Sequence, residues 1–492
     1  MAASVPARQP NDQGACPWEL AGQRACDFHA FRELGGASKA NDPSLTGAFG
    51  VGFLSVYQIT DHPELFSRGI HWILDEEDEA VNVCDGCSQT HVMAGTTFRL
   101  PWARRPTRLR EALGAEPVTA DDRRRLLRQF VEQAPQAMIF LHQLREIEIA
   151  DETSTSRIFS RDPDGDTVSI TGPARKQEWL ILAGDFNDEA ARLRRRHELI
   201  GSRHAEVRIA LSPNQKVDGR LYATLPTTIP TGLPLHLDAS FFPRVDRKGI
   251  LLDSGYQTEW NHAAIAAAAE LLAARIEEIA PILGPRPFWS LVNQAYALQR
   301  RRDGDARALA VFWPRLLEAL PQASVMWTGS EEWTWVSDVV MAPRDQDLAD
   351  LFEDLEIPTI SPLIRSLVPA RPLGIGPITL ERLLDEIERL GLAEGAALED
   401  LPEALSPDPR RRALRKELGA LVASGGELSS DLQDRLRALA VWQGTDGRFS
   451  SFDHNWLVTR DTVQPFARFS QYAFVAWSDP NPRVAPRVDL RV

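Results

Sequence analysis

Gly47-Ala48-Phe49-Gly50-Val51-Gly52-Phe53 is the stretch on which the reading of this chain turns. Three glycines at this spacing let a backbone approach a phosphate closely. The apolar, helix-like run that follows through Tyr57 would offer free N–H groups at its start. No Gly-Lys-Ser/Thr follows, so this is not a Walker loop. Nor does it follow a strand with an acidic residue about 20 positions on, which disfavours a dinucleotide fold. A tight loop packed on a helix is the other reading of the same glycines.

Working outward, Phe28, Phe31 and Leu34 fall at helical spacing and stop at Gly35-Gly36. The small, polar stretch 37–46 reads as a loop and contains Ser38-Lys39. Residues 1–26 read as a poorly anchored lead-in, and their unpatterned composition favours a truncated start. Downstream, strands are expected at 70–74, 81–84 and 96–100, a helix over 121–143, and a short strand at 147–149 closing a first domain near residue 150. Strands over 157–183 are expected to turn at Asp162-Pro163-Asp164-Gly165. A charged helix over 186–199 and strands at 205–211, 219–225 and 235–242 follow, with 226–234 as a linker. One alanine-rich helix is expected from Thr258 to Ile282, ending at 281–284. Further on, helices are expected over 376–391, 408–423 and 430–443, with short aromatic strands near 326–340 and 470–477. The fold class is α+β, divided into a first domain over 27–150, a middle α+β domain over 151–285 and a mixed helical C-terminal region over 286–492.

Composition narrows the function. The formal charge of −14 argues against coating nucleic acid by bulk attraction. The runs Arg123–Arg125 and Arg194–Arg196 lie among acidic residues and read as solvated helix faces. No apolar run is long enough for a membrane span and no secretory leader is visible, so a cytoplasmic location is expected and no membrane partner. Four cysteines do not make a disulfide framework. Cys84-Asp85-Gly86-Cys87 with His91 has half the spacing of a zinc site, but Asp-Gly between strand-like flanks reads more simply as a hairpin turn. His62, His71, His204, His236 and His262 show no paired metal spacing, so no metal ligand is assigned. No Gly-x-Ser-x-Gly elbow occurs. Trp327, Trp333 and Trp335 read as buried anchors.

The order of Ser38-Lys39, the glycine stretch and Gly95-Thr96-Thr97-Phe98-Arg99-Leu100 resembles the GHKL ATPases, and within them the chaperone branch, whose glycine box also reads Phe-Gly-Val-Gly-Phe. The resemblance is closest to sacsin-like N-terminal domains. It is carried by Asp27-Phe28, Phe31-Arg32, Asp42-Pro43-Ser44-Leu45 and Ser55-Val56-Tyr57-x-Ile59-Thr60-Asp61, over about residues 27–102. It extends to a second domain through Leu225-Pro226-Thr227, Thr231-Gly232-Leu233-Pro234, Asp246-Arg247-Lys248 and Trp260-Asn261.

The resemblance implies a GHKL (Bergerat) α/β sandwich, N-terminally incomplete, that binds ATP with magnesium carried by the nucleotide. Gly47, Phe49, Gly50, Val51, Gly52 and Phe53 would form the phosphate cradle, Ser38 and Lys39 the lid, and Thr96 part of the adenine pocket. Arg247 and Lys248 would reach the γ-phosphate. Asp12, in Asn11-Asp12-Gln13-Gly14, would be a remnant of the adenine-reading turn. The family's general-base glutamate and magnesium-binding asparagine are not found: Glu19 and Glu33 precede the box, and neither has an asparagine four residues on. Two readings follow, an ATP-driven conformational machine acting on protein clients, with a homodimer allowed, or a scaffold that binds without turnover. A DNA-acting assembly ranks third on charge.

Overall fold

The computed structural model describes residues 52–67, 70–73, 82–85, 96–150, 156–200, 203–244, 248–301, 304–329, 332–424, 428–443, 447–451, 456–457 and 474–475. The chain divides into two compact units. One reaches to Leu271 and includes Arg302–Leu309; the other is made of Leu272–Arg301 and the chain from Ala310 on. Helix and strand are mixed in both, in keeping with α+β.

The described part of the first unit opens on a 3-10 helix, Gly52–Gln58, where the sequence predicted a helix-like run. Strands β1 (Glu64–Ser67), β2 (Ile70–Ile73), β3 (Asn82–Asp85) and β4 (Thr96–Arg99) form an antiparallel sheet in the order β3-β2-β1-β4. Helix α1 (Arg108–Leu113) follows, capped by Thr107 and closed by Gly114 in the left-handed region at φ 62. Helix α2 (Ala120–Ala137) begins on a capping box, with Asp122 N–H donating to Thr119 Oγ1 while the Asp122 carboxylate accepts from Thr119 N–H. It stops six residues short of the expected 143, because Met138, Ile139 and Phe140 turn into the core and are buried there.

An eight-stranded sheet follows in the order β11-β10-β12-β9-β8-β7-β6-β5. Its strands are β5 (Glu146–Ala150), β6 (Ser156–Asp164), β7 (Thr167–Thr171), β8 (Lys176–Asp185), β9 (Glu206–Leu211), β10 (Arg220–Ala223), β11 (Leu225–Pro230) and β12 (His236–Ala239). Only the β10–β12 pairing is parallel among them. Helix α3 (Asn187–Arg196) connects β8 to β9. Trp179 and Ile181 join the core under α2 with Phe159, Ile170 and Tyr222. Leu180 and Leu182 alternate to the opposite face and are buried as well. There Leu271, on α4 (Tyr256–Ala274), lies against Gly184, where an added Cβ would stand 3.2 Å from it. A strand covered on both faces reads as a continuous apolar run rather than an alternation, as 179–182 does.

Three details correct the expectations. The turn after β6 is Gly165-Asp166, with Gly165 at φ 56, and Asp162-Pro163-Asp164 is strand. Pro163 is tolerated because β5 pairing ends at Ser160 and leaves that stretch of β6 with a partner on one side only. The expected linker 226–234 contains strand β11, whose Pro226 and Pro230 are compatible with its place at the sheet edge. The expected single helix 258–282 is two, α4 and α5 (Ile276–Leu283), parted at Arg275 (φ −113, ψ 13), and α6 (Pro285–Leu298) starts directly after Gly284. Helix α7 (Gly304–Leu309) returns to the first unit.

In the second unit, α8 (Phe312–Ala319) leads to a hairpin of β13 (Ser324–Trp327) and β14 (Trp333–Trp335). None of the three tryptophans is the buried anchor expected: Trp327 and Trp333 are half-buried and meet edge-on at 5.1 Å, and Trp335 is exposed. Helices α9 (Gln346–Asp354), α10 (Leu380–Arg389), α11 (Asp408–Ser424) and α12 (Ser430–Ala438) surround a core of Leu351, Phe352, Leu383, Leu384, Ile387, Leu414 and Leu418.

Candidate functional site

Among the residues expected to hold nucleotide, Asp12, Ser38, Lys39, Gly47, Phe49, Gly50, Val51 and Arg247 lie outside the described residues. Gly52 and Phe53 open the 3-10 helix. The Phe53 ring packs on Phe98 of β4 at 5.2 Å, so the end of the glycine stretch and the strand carrying Thr96 come together. Thr96 starts β4 opposite Ser67 with its side chain exposed.

What anchors this helix is a buried charge network. Arg110 Nη1 donates to Asp61 Oδ1 at 2.9 Å, with the two side chains 2% and 7% exposed. Thr107 Oγ1 donates to Asp61 Oδ2 at 3.0 Å. The remaining guanidinium donors reach the Gln58 carbonyl at 2.8 Å and the Glu116 carbonyl at 2.9 and 3.1 Å. Arg110 thus closes the C-terminal end of the Gly52–Gln58 helix, and Asp61, from the quoted Ile59-Thr60-Asp61, is its counter-ion. The sequence offered no sign of Arg110, which stands 49 residues from Asp61. Beside the pair, Thr60 is fully buried and its Oγ1 finds no partner among the described residues.

Of the second group of expected residues, Lys248 lies on a loop whose two ends are pinned. Asn261 on α4 accepts from Phe242 N–H at 2.7 Å and donates to the carbonyls of Phe242 and Leu251 at 3.0 and 2.8 Å. Trp260 Nε1 donates to the Ser240 carbonyl, which also accepts from Arg203. Burial lowers the Arg203 guanidinium to about 10, and its cation lies 3.9 Å over the Phe242 ring. The quoted Trp260-Asn261 pair therefore fastens both ends of the 242–251 loop. Arg244 N–H closes the loop on the Gly249 carbonyl at 2.8 Å. Lys248 is exposed there, while its own carbonyl accepts from Thr228 N–H and Oγ1.

The other quoted motifs hold the sheet end in shape. Thr231 Oγ1 meets the carbonyls of Leu233 and Leu235, and Gly219 is pressed so close that a Cβ would stand 2.0 Å from the Leu235 carbonyl. Only glycine fits at 219. Asp238 is buried between Arg208 Nη2 at 2.7 Å and Thr224 N–H at 2.8 Å, and it holds Thr224 at φ 70. Burial pushes the Asp238 carboxyl up, against the pull of Arg208 and Thr224. His236 accepts from Arg220 N–H through Nδ1 and is flanked by Trp179 and Tyr222, and burial lowers it to about 4. It is a neutral core histidine.

Gly86, Cys87 and His91 lie outside the described residues. Among the described residues no group of three His, Cys, Asp or Glu is placed to hold a metal, and no helix is long and apolar enough to cross a membrane.

The family described as Sacsin domain matches residues 23–85, a segment that takes in Ser38, Lys39 and all of Gly47–Phe53 and ends with β3. The match supports a sacsin-like relationship for that segment. No curated protein matches the chain.

Proposed function

We propose that this chain is an ATP-binding protein of the sacsin-like GHKL kind, in which nucleotide gates a conformational change acting on protein clients or partners. The observation that carries the reading is the Sacsin domain match over residues 23–85, centred on the glycine stretch. Backbone N–H groups at Gly47, Gly50 and Gly52 would meet the phosphates, with Ser38 and Lys39 over them and Thr96 toward the base. The donor set suits a polyphosphate: backbone amides, a hydroxyl and cationic side chains. The 242–251 loop adds to this, since its base is fixed by Asn261 while Lys248 is left exposed. Magnesium would arrive with the nucleotide and neutralise phosphate charge.

Equilibrium binding of ATP with magnesium, compared with a Gly50→Val/Gly52→Val variant, tests the site. Two side chains placed where backbone must meet phosphate should abolish binding. Equal binding by both proteins would overturn the assignment. Lys248→Ala should weaken ATP more than ADP if that side chain serves the γ-phosphate. The second reading, binding without turnover, rests on Glu19 and Glu33 having no partner asparagine. Phosphate release under saturating ATP separates the two.

A further inference from the structure

The second unit carries a cleft of about 620 Å³. Its lining includes Arg344, Leu348, Phe352, Arg365, Ile378 and Glu417. We propose that this cleft binds a small amphipathic carboxylate, its apolar body against Met341 and Pro377 above the floor closed by Leu348, Phe352 and Ile378, and its anionic group between Arg344 and Arg365.

The volume lies in the range of small-ligand pockets, roughly 300–1,000 Å³, which are mostly apolar with a few convergent polar groups. Leu348, Phe352 and Ile378 belong to the core of the unit and are only 4%, 1% and 3% exposed, so they close the bottom of the cleft, and the apolar surface open to a ligand is that of Met341 and Pro377. The polar groups are unequal in what they have left to offer. Asp345 is engaged, since it caps α9 through Asp347 N–H and faces Lys416 at 3.5 Å. Arg365 spends one donor on the Ala342 carbonyl, which orients the rest of its fork. Arg344 is exposed and has no hydrogen-bond or ion-pair partner among the described residues. Two guanidinium groups at the rim suit a planar carboxylate, which each can meet with paired N–H donors. Glu417 and Asp345 set the limit on where an anion can sit: burial and then Asp345 raise the Glu417 carboxyl against the pull of Lys416, so the anionic group belongs on the arginine side of the cleft.

The walls are already held. Arg410 on α11 pairs with Asp354 at the end of α9, and Leu414 and Leu418 share the core with Leu351. Met341 N–H is tied to the Gly376 carbonyl at 2.8 Å, which joins the lining segments at 341–345 and 377–378. A preformed cleft loses less on binding than one that must be ordered.

Isothermal titration calorimetry of the full chain with sodium decanoate is the test, beside decanol and decyltrimethylammonium. Decanoate should bind at least tenfold more tightly than either. An Arg344→Glu/Arg365→Glu variant should lose that preference while its unfolding temperature is unchanged. If charge reversal prevents folding, Arg344→Met/Arg365→Met serves the same purpose. No binding of decanoate, equal binding of the three chains, or an unaltered preference in the folded variant would overturn the proposal. So would a decapeptide ending in leucine that binds where decanoate does not, since the cleft would then be a polypeptide dock.

Discussion

Two arginine–aspartate pairs with a buried carboxylate occur in two regions of the first unit, one with its arginine buried and the other with its arginine half-buried, and they do different work. Arg110 and Asp61 join a 3-10 helix, a loop and a short helix that share no strand ladder, and the guanidinium reaches the Gln58 and Glu116 carbonyls as well. Arg208 and Asp238 are already opposite one another in the β9–β12 ladder, so backbone bonds hold their strands together whatever the side chains do. Where regular hydrogen bonding is sparse, one charged side chain does the joining. Where the ladder is complete, the pair is an addition to an assembly that already stands.

That contrast sets the order of expected effects. Arg110→Ala should be the most damaging, since it leaves the Asp61 carboxylate buried and alone. A loss of about 3–5 kcal/mol in urea unfolding is expected. An Arg110→Met/Asp61→Leu double variant should recover much of that. A single-variant loss below about 1 kcal/mol would break the comparison, because the measured cost of stranding a buried charge is several times larger.

Arg208→Ala should cost less, about 1.5–3 kcal/mol, the range for a hydrogen bond to a charged group. Asp238 has a second donor in Thr224 N–H and a carboxyl already raised by burial, so it can take up a proton instead. The deficit should therefore shrink as pH falls through the raised Asp238 range, which unfolding curves at several pH values would show. A deficit that grows on acidification would contradict the burial argument.

His236 sharpens the comparison from the neutral side. It holds to about 4 in the folded chain against the ordinary 6.5, so between those pH values the unfolded chain binds a proton that the folded chain refuses. The stability is fully present above pH 6.5 and is lost as pH falls toward 4, by up to about 1.4 kcal/mol per pH unit. His236→Gln should flatten that slope, and an unchanged slope would mean the imidazole is solvated. At the small end, Glu189→Gln on α3 removes an exposed pair with Arg192 and should leave the unfolding midpoint where it was.

Much of the local structure was legible because local spacing decides it. The Arg-rich helix after residue 186 and the strands at 96–99, 206–211 and 236–239 follow from periods of 3.6 and 2 read over a few residues. Misreadings occurred where a distant partner overrode the local signal. The segment 226–234 looks like a linker by its prolines, threonines and glycine, yet β10 pairs with its first half and makes it a strand. The helix expected to run to 143 ends at Ala137 because Met138 and Phe140 have a core to enter. Trp260 and Asn261 were picked out by resemblance alone, and their hydrogen bonds give them a purpose, fastening the 242–251 loop.

By itself, then, the sequence determined the α+β class and the positions of many elements, and it marked out the glycine stretch that the Sacsin domain match takes in, since each rests on neighbours within one or two turns. The tertiary structure alone decided that Arg110 is the counter-ion of Asp61, that Gly219 admits no side chain, and that Arg344 and Arg365 line one cleft. These depend on which distant segments the topology brings together. Charge, hydroxyl and amide groups carry no period that names their partner. A buried arginine and an exposed one are the same letter until the chain has closed around one of them.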